Sequence, residues 1–132
     1  VPAYATPAEL DALALPPDVA SAATDAEKEA ALEAASRLTD SYLAAAGYAV
    51  PLTTWGDDLK NAVCAIAAYD LAVSKGLAPE DGEGSNLYLR KRDAVRWLER
   101  VAAGTAKPSG VGQETGGSAA VVYAITDEKR GW

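Results

Sequence analysis

The sequence predicts an all-α fold: a small bundle of three main helices and a short N-terminal one, followed by an extended C-terminal tail with one β-strand. Three observations carry this. Apolar residues recur at spacings of three and four over 25–46, 57–75 and 86–103, the period of one helix face. Each stretch is bracketed by residues that start and stop helices. Past Gly104 the chain turns rich in Gly, Ser, Pro and Thr and then β-prone, Ala119 to Ile125. The expected division is a helical body at 1–104, a linker at 105–118, and a partner-binding strand and tail at 119–132.

Thr6-Pro7-Ala8-Glu9 is a capping box with proline at the first helical position. It starts a helix over 7–14 with Leu10, Leu13 and Leu15 inward. Pro16-Pro17 ends it, and 15–23 is expected as loop. Thr24 and Glu27 form a second capping box for the long helix at 25–46. Ala31, Ala35, Leu38, Tyr42 and Ala45 share its expected core face, flanked by Leu32, Leu43 and Ala46. Glu29, Glu33 and Asp40 fall on the other side. Gly47 suits the left-handed stop, and Pro51 bars a restart. The helix at 57–75 opens on Asp57 and Asp58, which favour the positive end of its dipole. Its stripe is Leu59, Val63, Ile66 and Val73, beside Ala62 and Tyr69. Residues 77–84 read as a polar, mobile connection. Ser85 is the expected cap of a helix at 86–103, with Leu87, Ala94, Val95, Leu98 and Val101 inward.

At 132 residues the chain is one domain. Much of its apolar content is alanine, which buries little area, so a thin core is expected. No stretch of about 18 apolar residues suggests a membrane span. The first residues, Val-Pro-Ala-Tyr, lack the basic and apolar regions of a secretory leader. The single cysteine fits a reducing compartment. The net charge of −7 argues against groove-reading of nucleic acid. Charge is unevenly placed: −10 over 1–83, +3 over 84–104 and zero over 105–132. One basic helix on an acidic body suggests complementary protein surfaces.

Catalytic chemistry is thinly represented. Histidine is absent, which removes the commonest general base and metal ligand. Cys64, between Val63 and Ile66, reads as a small core residue. Neither Asp57-Asp58 nor Glu80-Asp81-Glu83 has the alternation of a calcium loop. Gly110, Gly112, Gly116 and Gly117 lack the strand and the Gly-Lys-Ser/Thr of a phosphate loop. No enzyme activity, cofactor or metal is expected.

Arg92, Arg96 and Arg100 recur every four residues. They admit three readings: a solvated face, a dock for an acidic surface, or a phosphate contact that the net charge disfavours. Glu29, Glu33 and Asp40 offer such an acidic surface. If stripe and acids meet between copies, subunits join head to tail and can close a ring. The run Ala119–Ile125 has no evident partner strand, so its backbone groups call for another chain. Val121, Val122, Tyr123, Ile125 and Trp132 are its expected anchors.

The order of features resembles a known family. It is carried by Tyr4-Ala5-Thr6-Pro7-Ala8-Glu9-Leu10, then Ala35-Ser36-Arg37-Leu38-Thr39-Asp40-Ser41-Tyr42-Leu43 and Gly47-Tyr48-Ala49-Val50-Pro51-Leu52. Ala65-Ile66-Ala67-Ala68-Tyr69-Asp70-Leu71 and the run from Asp93 to Gly104 complete it. Across 3–104 this resembles the Mu-like prophage small neck proteins, head-to-tail connectors of tailed bacteriophages. The resemblance implies a helical bundle in a twelve-copy ring under the portal protein, in the neck of the virion, made in the host cytoplasm. The ring would extend the DNA channel without specific DNA binding and dock the next neck or tail-completion protein. The C-terminal extension would grip the portal. The glycine-rich linker and the 77–84 connection depart from the pattern. The rival expectation is a stand-alone helical interaction or regulatory module that uses the arginine stripe; a small carboxylate enzyme is a weaker one.

Overall fold

The computed structural model describes residues 3–76 and 82–111. Five helices follow one another: α1 (Pro7–Leu13), α2 (Pro17–Ala22), α3 (Asp25–Ala45), α4 (Asp57–Ser74) and α5 (Gly82–Ala103). The helical bundle is as expected, and the described residues contain no strand. The run 119–125 lies outside them, as do residues 77–81 of the connection.

Helices α3, α4 and α5 all touch one another, and α1 lies on α3 and α4. α4 sits in the middle. Leu59, Val63, Cys64 and Ile66 are fully or almost fully buried, and so are Ala67, Ala68 and Ala72. Those alanines let neighbouring backbones approach closely; leucines from the other helices, such as Leu32, Leu43 and Leu98, fill the remaining space.

Both capping boxes form. Thr6 accepts from the Glu9 amide at 3.2 Å, and Thr24 from the Glu27 amide at 3.1 Å. Each glutamate returns a bond to its cap's amide. Gly47, at φ 96°, closes α3. Tyr48 N–H donates to the Leu43 carbonyl and Gly47 N–H to that of Ala44, satisfying two orphan acceptors as in a Schellman motif.

Both glutamates also hold a lysine from a distant element. Lys60 reaches Glu9 at 2.6 Å and Lys75 reaches Glu27 at 2.9 Å. Lys60, then the Thr6 amide, lowers the Glu9 pKa from its ordinary 4.5. For Glu27 the Thr24 amide acts first and Lys75 second, in the same direction. A carboxyl whose folded pKa is depressed stabilises the fold above its unfolded pKa and loses that contribution as pH falls through the folded one. The urea midpoint is therefore expected to drop as pH falls below 4.5. Glu9→Gln with Glu27→Gln should flatten that slope. An unchanged slope in the double variant would refute the assignment.

Four expectations need correction. Residues 17–22 are helical: Pro17 occupies a position in the first turn where its missing N–H costs nothing. α5 begins at Gly82, so Ser85 lies inside the helix and does not cap it. Leu13, Leu38 and Val73 were expected inward but are 44%, 39% and 43% exposed. On α3 the buried stripe is Lys28, Leu32, Ala35, Ser36, Thr39 and Leu43. At about 100° per residue it is rotated by about 90° from the expected face. Three of its six members are polar, and each has a bond. Lys28 pairs with Asp11 at 3.0 Å, Ser36 accepts from the Tyr4 amide at 3.0 Å, and Thr39 donates to the Ala35 carbonyl at 2.8 Å.

Candidate functional site

Tyr4 fastens the N-terminal segment to the bundle. It is 1% exposed. Its hydroxyl donates to Asp40 Oδ1 and accepts from the Leu52 amide at 3.0 Å. Its carbonyl accepts from Trp55 Nε1 at 2.9 Å, and the two rings meet edge-on at 4.7 Å. Burial first, and the Asp40 carboxylate second, push the phenol well above its usual range. Asp40 is thus engaged within its own chain. Glu29 and Glu33 are exposed and line a groove of about 360 Å³ with the N-terminal segment.

The arginine stripe lies along α5. Arg96 and Arg100 are exposed. Arg92 is half-buried and reaches its neighbour Asp93 at 3.4 Å, while its Nε is buried with no hydrogen-bond partner. Among the described residues no ion pair joins the stripe to Glu29, Glu33 or Asp40. Cys64 is a core residue, and burial raises its thiol pKa to about 11. That is opposite to what a nucleophilic thiolate needs. No group of three or more potential metal ligands occurs among the described residues.

Two features escape sequence reasoning. One is a cleft of about 580 Å³ where α1, α4 and α5 meet. Leu13, Ala62, Ala65, Ala94 and Trp97 form its apolar surface, and Asp58, Asn61, Arg90 and Asp93 stand around it. Its sequence signal is faint, since alanines at 62, 65 and 94 look like core and half-buried Trp97 looks like a flank. The other is the path after α5. Ser109 donates from its amide and hydroxyl to the two Asp58 carboxylate oxygens, at 2.8 and 3.0 Å. Gly110, at φ 65°, lies against Gly56 so closely that a Cβ there would sit 3.1 Å from the Gly56 nitrogen. A Cβ on Gly56 would meet Ser109 Oγ at 2.3 Å. The first part of the segment read as linker, 105–111, therefore rests on the body. The expected portal anchors Val121, Val122, Tyr123, Ile125 and Trp132 lie outside the described residues.

Comparison with known proteins places the chain. A family model described as bacteriophage Mu, Gp36 matches residues 3–122. The chain belongs to the Mu Gp36 family. Over 113 residues it is 36% identical to gene product J of Escherichia phage Mu, covering 86% of this chain and 74% of that protein. The Mu Gp36 match runs through the whole bundle and into the β-prone run. The surfaces described above belong to the helical body that this match covers. No helix in the described residues is long and apolar enough to cross a membrane.

Proposed function

We propose that this Mu Gp36 family member is a structural virion protein, a head-to-tail connector that forms a ring under the portal, extends the DNA channel and docks the next neck or tail protein. The observation that carries the reading is membership of a phage Mu family across nearly the whole helical body. The surfaces support it. The stripe at Arg92, Arg96 and Arg100 and the acids Glu29 and Glu33 are not paired with each other in one chain, which suits pairing between successive copies of a ring of twelve. Carboxylates on an acidic ring repel phosphate, so DNA slides through without specific binding. The protein is no enzyme on this reading and needs no cofactor.

The portal grip falls on the segment after 111, where Ala119–Ile125 would add a strand to the portal and Trp132 would fill a pocket in it. Deleting 112–132 removes that segment and keeps the Asp58–Ser109 contact. The truncated protein is expected to keep its helical circular dichroism and to lose portal affinity by roughly tenfold or more in a sedimentation assay with procapsids. Unaltered binding would refute the role of the segment. A regulatory module would instead stay a monomer or dimer in light scattering, with or without portal.

A further inference from the structure

The cleft between α1, α4 and α5 has no task in the connector reading. It pairs an apolar floor with a charged edge, the composition of a site that takes an amphipathic group. Its volume of about 580 Å³ lies inside the range, about 300–1,000 Å³, of pockets that bury a small ligand. The chain's own path leads to it. Ser109 is bonded to Asp58, a residue of the cleft wall, and residue 111 is the last one described. The chain is therefore held at the cleft wall three residues before the segment 112–132 starts.

That segment has matching chemistry. It holds the apolar run Ala119–Ile125, then Lys129 and Arg130, then Trp132. Asp93 at the cleft edge is 68% exposed, its side chain held by adjacent Arg92 at a long 3.4 Å. Reach is no obstacle. Twenty extended residues span up to about 66–72 Å, against about 27 Å for all of α4.

We propose that, before any partner binds, the segment 119–132 of the same chain occupies this cleft, with the Trp132 indole on the floor beside Trp97 and Leu13 and the Lys129–Arg130 pair toward Asp93. The own segment is the occupant because it is tethered. A short linker holds its end at an effective concentration on the order of millimolar. A second copy at micromolar concentration competes poorly against that. The proposal concerns the free chain and does not depend on the portal reading. A connector whose tail is unparked would still grip a portal, and a parked tail need not meet one.

The test is trypsin cleavage after Lys129 and Arg130 in the full chain, read by mass as loss of the last residues. A synthetic peptide of residues 112–132 gives the unprotected rate. The full chain is expected to be cut at least about tenfold more slowly, and equally so at all protein concentrations, because cleavage follows the population of the released segment. Trp132→Ala, which leaves the body untouched, should bring the rate to that of the same peptide carrying the substitution. Ala65→Trp, which fills the floor, should do the same with Trp132 intact. If that variant does not fold, Asn61→Trp on the same wall takes its place. Cleavage of the full chain at the peptide rate overturns the proposal. Protection that appears only as concentration rises assigns the cleft to a neighbouring copy and overturns it too. Protection that survives a filled floor places the segment elsewhere, with the same result.

Discussion

Tyr4→Ala is expected to remove about 3–5 kcal/mol of stability, the range for deleting a buried aromatic. The side chain is 1% exposed and packs edge-on against Trp55. Its loss opens a cavity where the N-terminal segment, α3 and the 50–55 loop meet. It also strands two groups: the Asp40 carboxylate loses its donor and the Leu52 amide its acceptor. Tyr4→Phe separates these effects. It keeps the ring and leaves the two polar groups unsatisfied, for an expected loss of about 1–3 kcal/mol. Urea unfolding followed by circular dichroism measures both. A loss below about 1 kcal/mol for the alanine variant would mean that the N-terminal segment is not fastened as described.

Enlarging the centre of the bundle should be costly for the opposite reason. Ala68 on α4 has no exposed surface, and neither have Ala67 and Ala72. α4 touches α1, α3 and α5, so an added side chain has nowhere to go without moving a helix. Ala68→Leu is expected to destabilise by about 1–3 kcal/mol. For a body of about a hundred residues that lowers Tm by about 4–8 °C per kcal/mol. A hydrophobic gain at this position, seen as a raised Tm, would show that α4 is loosely packed.

Helix existence was legible because it is written in local chemistry. The two Thr-x-x-Glu boxes and Gly47 mark their boundaries in sequence, and the structure uses all three. The inward face of α3 was not legible, because counting apolar residues discards polar ones. Lys28, Ser36 and Thr39 are buried through bonds to Asp11, Tyr4 and Ala35, and two of those three partners are remote in sequence. Helix α2 was missed because Pro16-Pro17 reads as a breaker, whereas the second proline sits at a helix start. The cleft was invisible for a related reason. Its floor joins residues from three helices, and alanine gives no hint of which of its neighbours stops short of covering it. The arginine stripe was legible by spacing, and the burial of Arg92 against the exposure of Arg96 and Arg100 was not.

The back-to-back approach of Gly56 and Gly110, clamped by Asp58 and Ser109, has a geometric outcome. The departing polypeptide is riveted to the start of the central helix, so its point of launch moves with the rigid body. In any symmetric assembly, identical copies would then carry Ser109 and Gly110 at symmetry-related points, and a partner could read those points as a fixed pattern of origins.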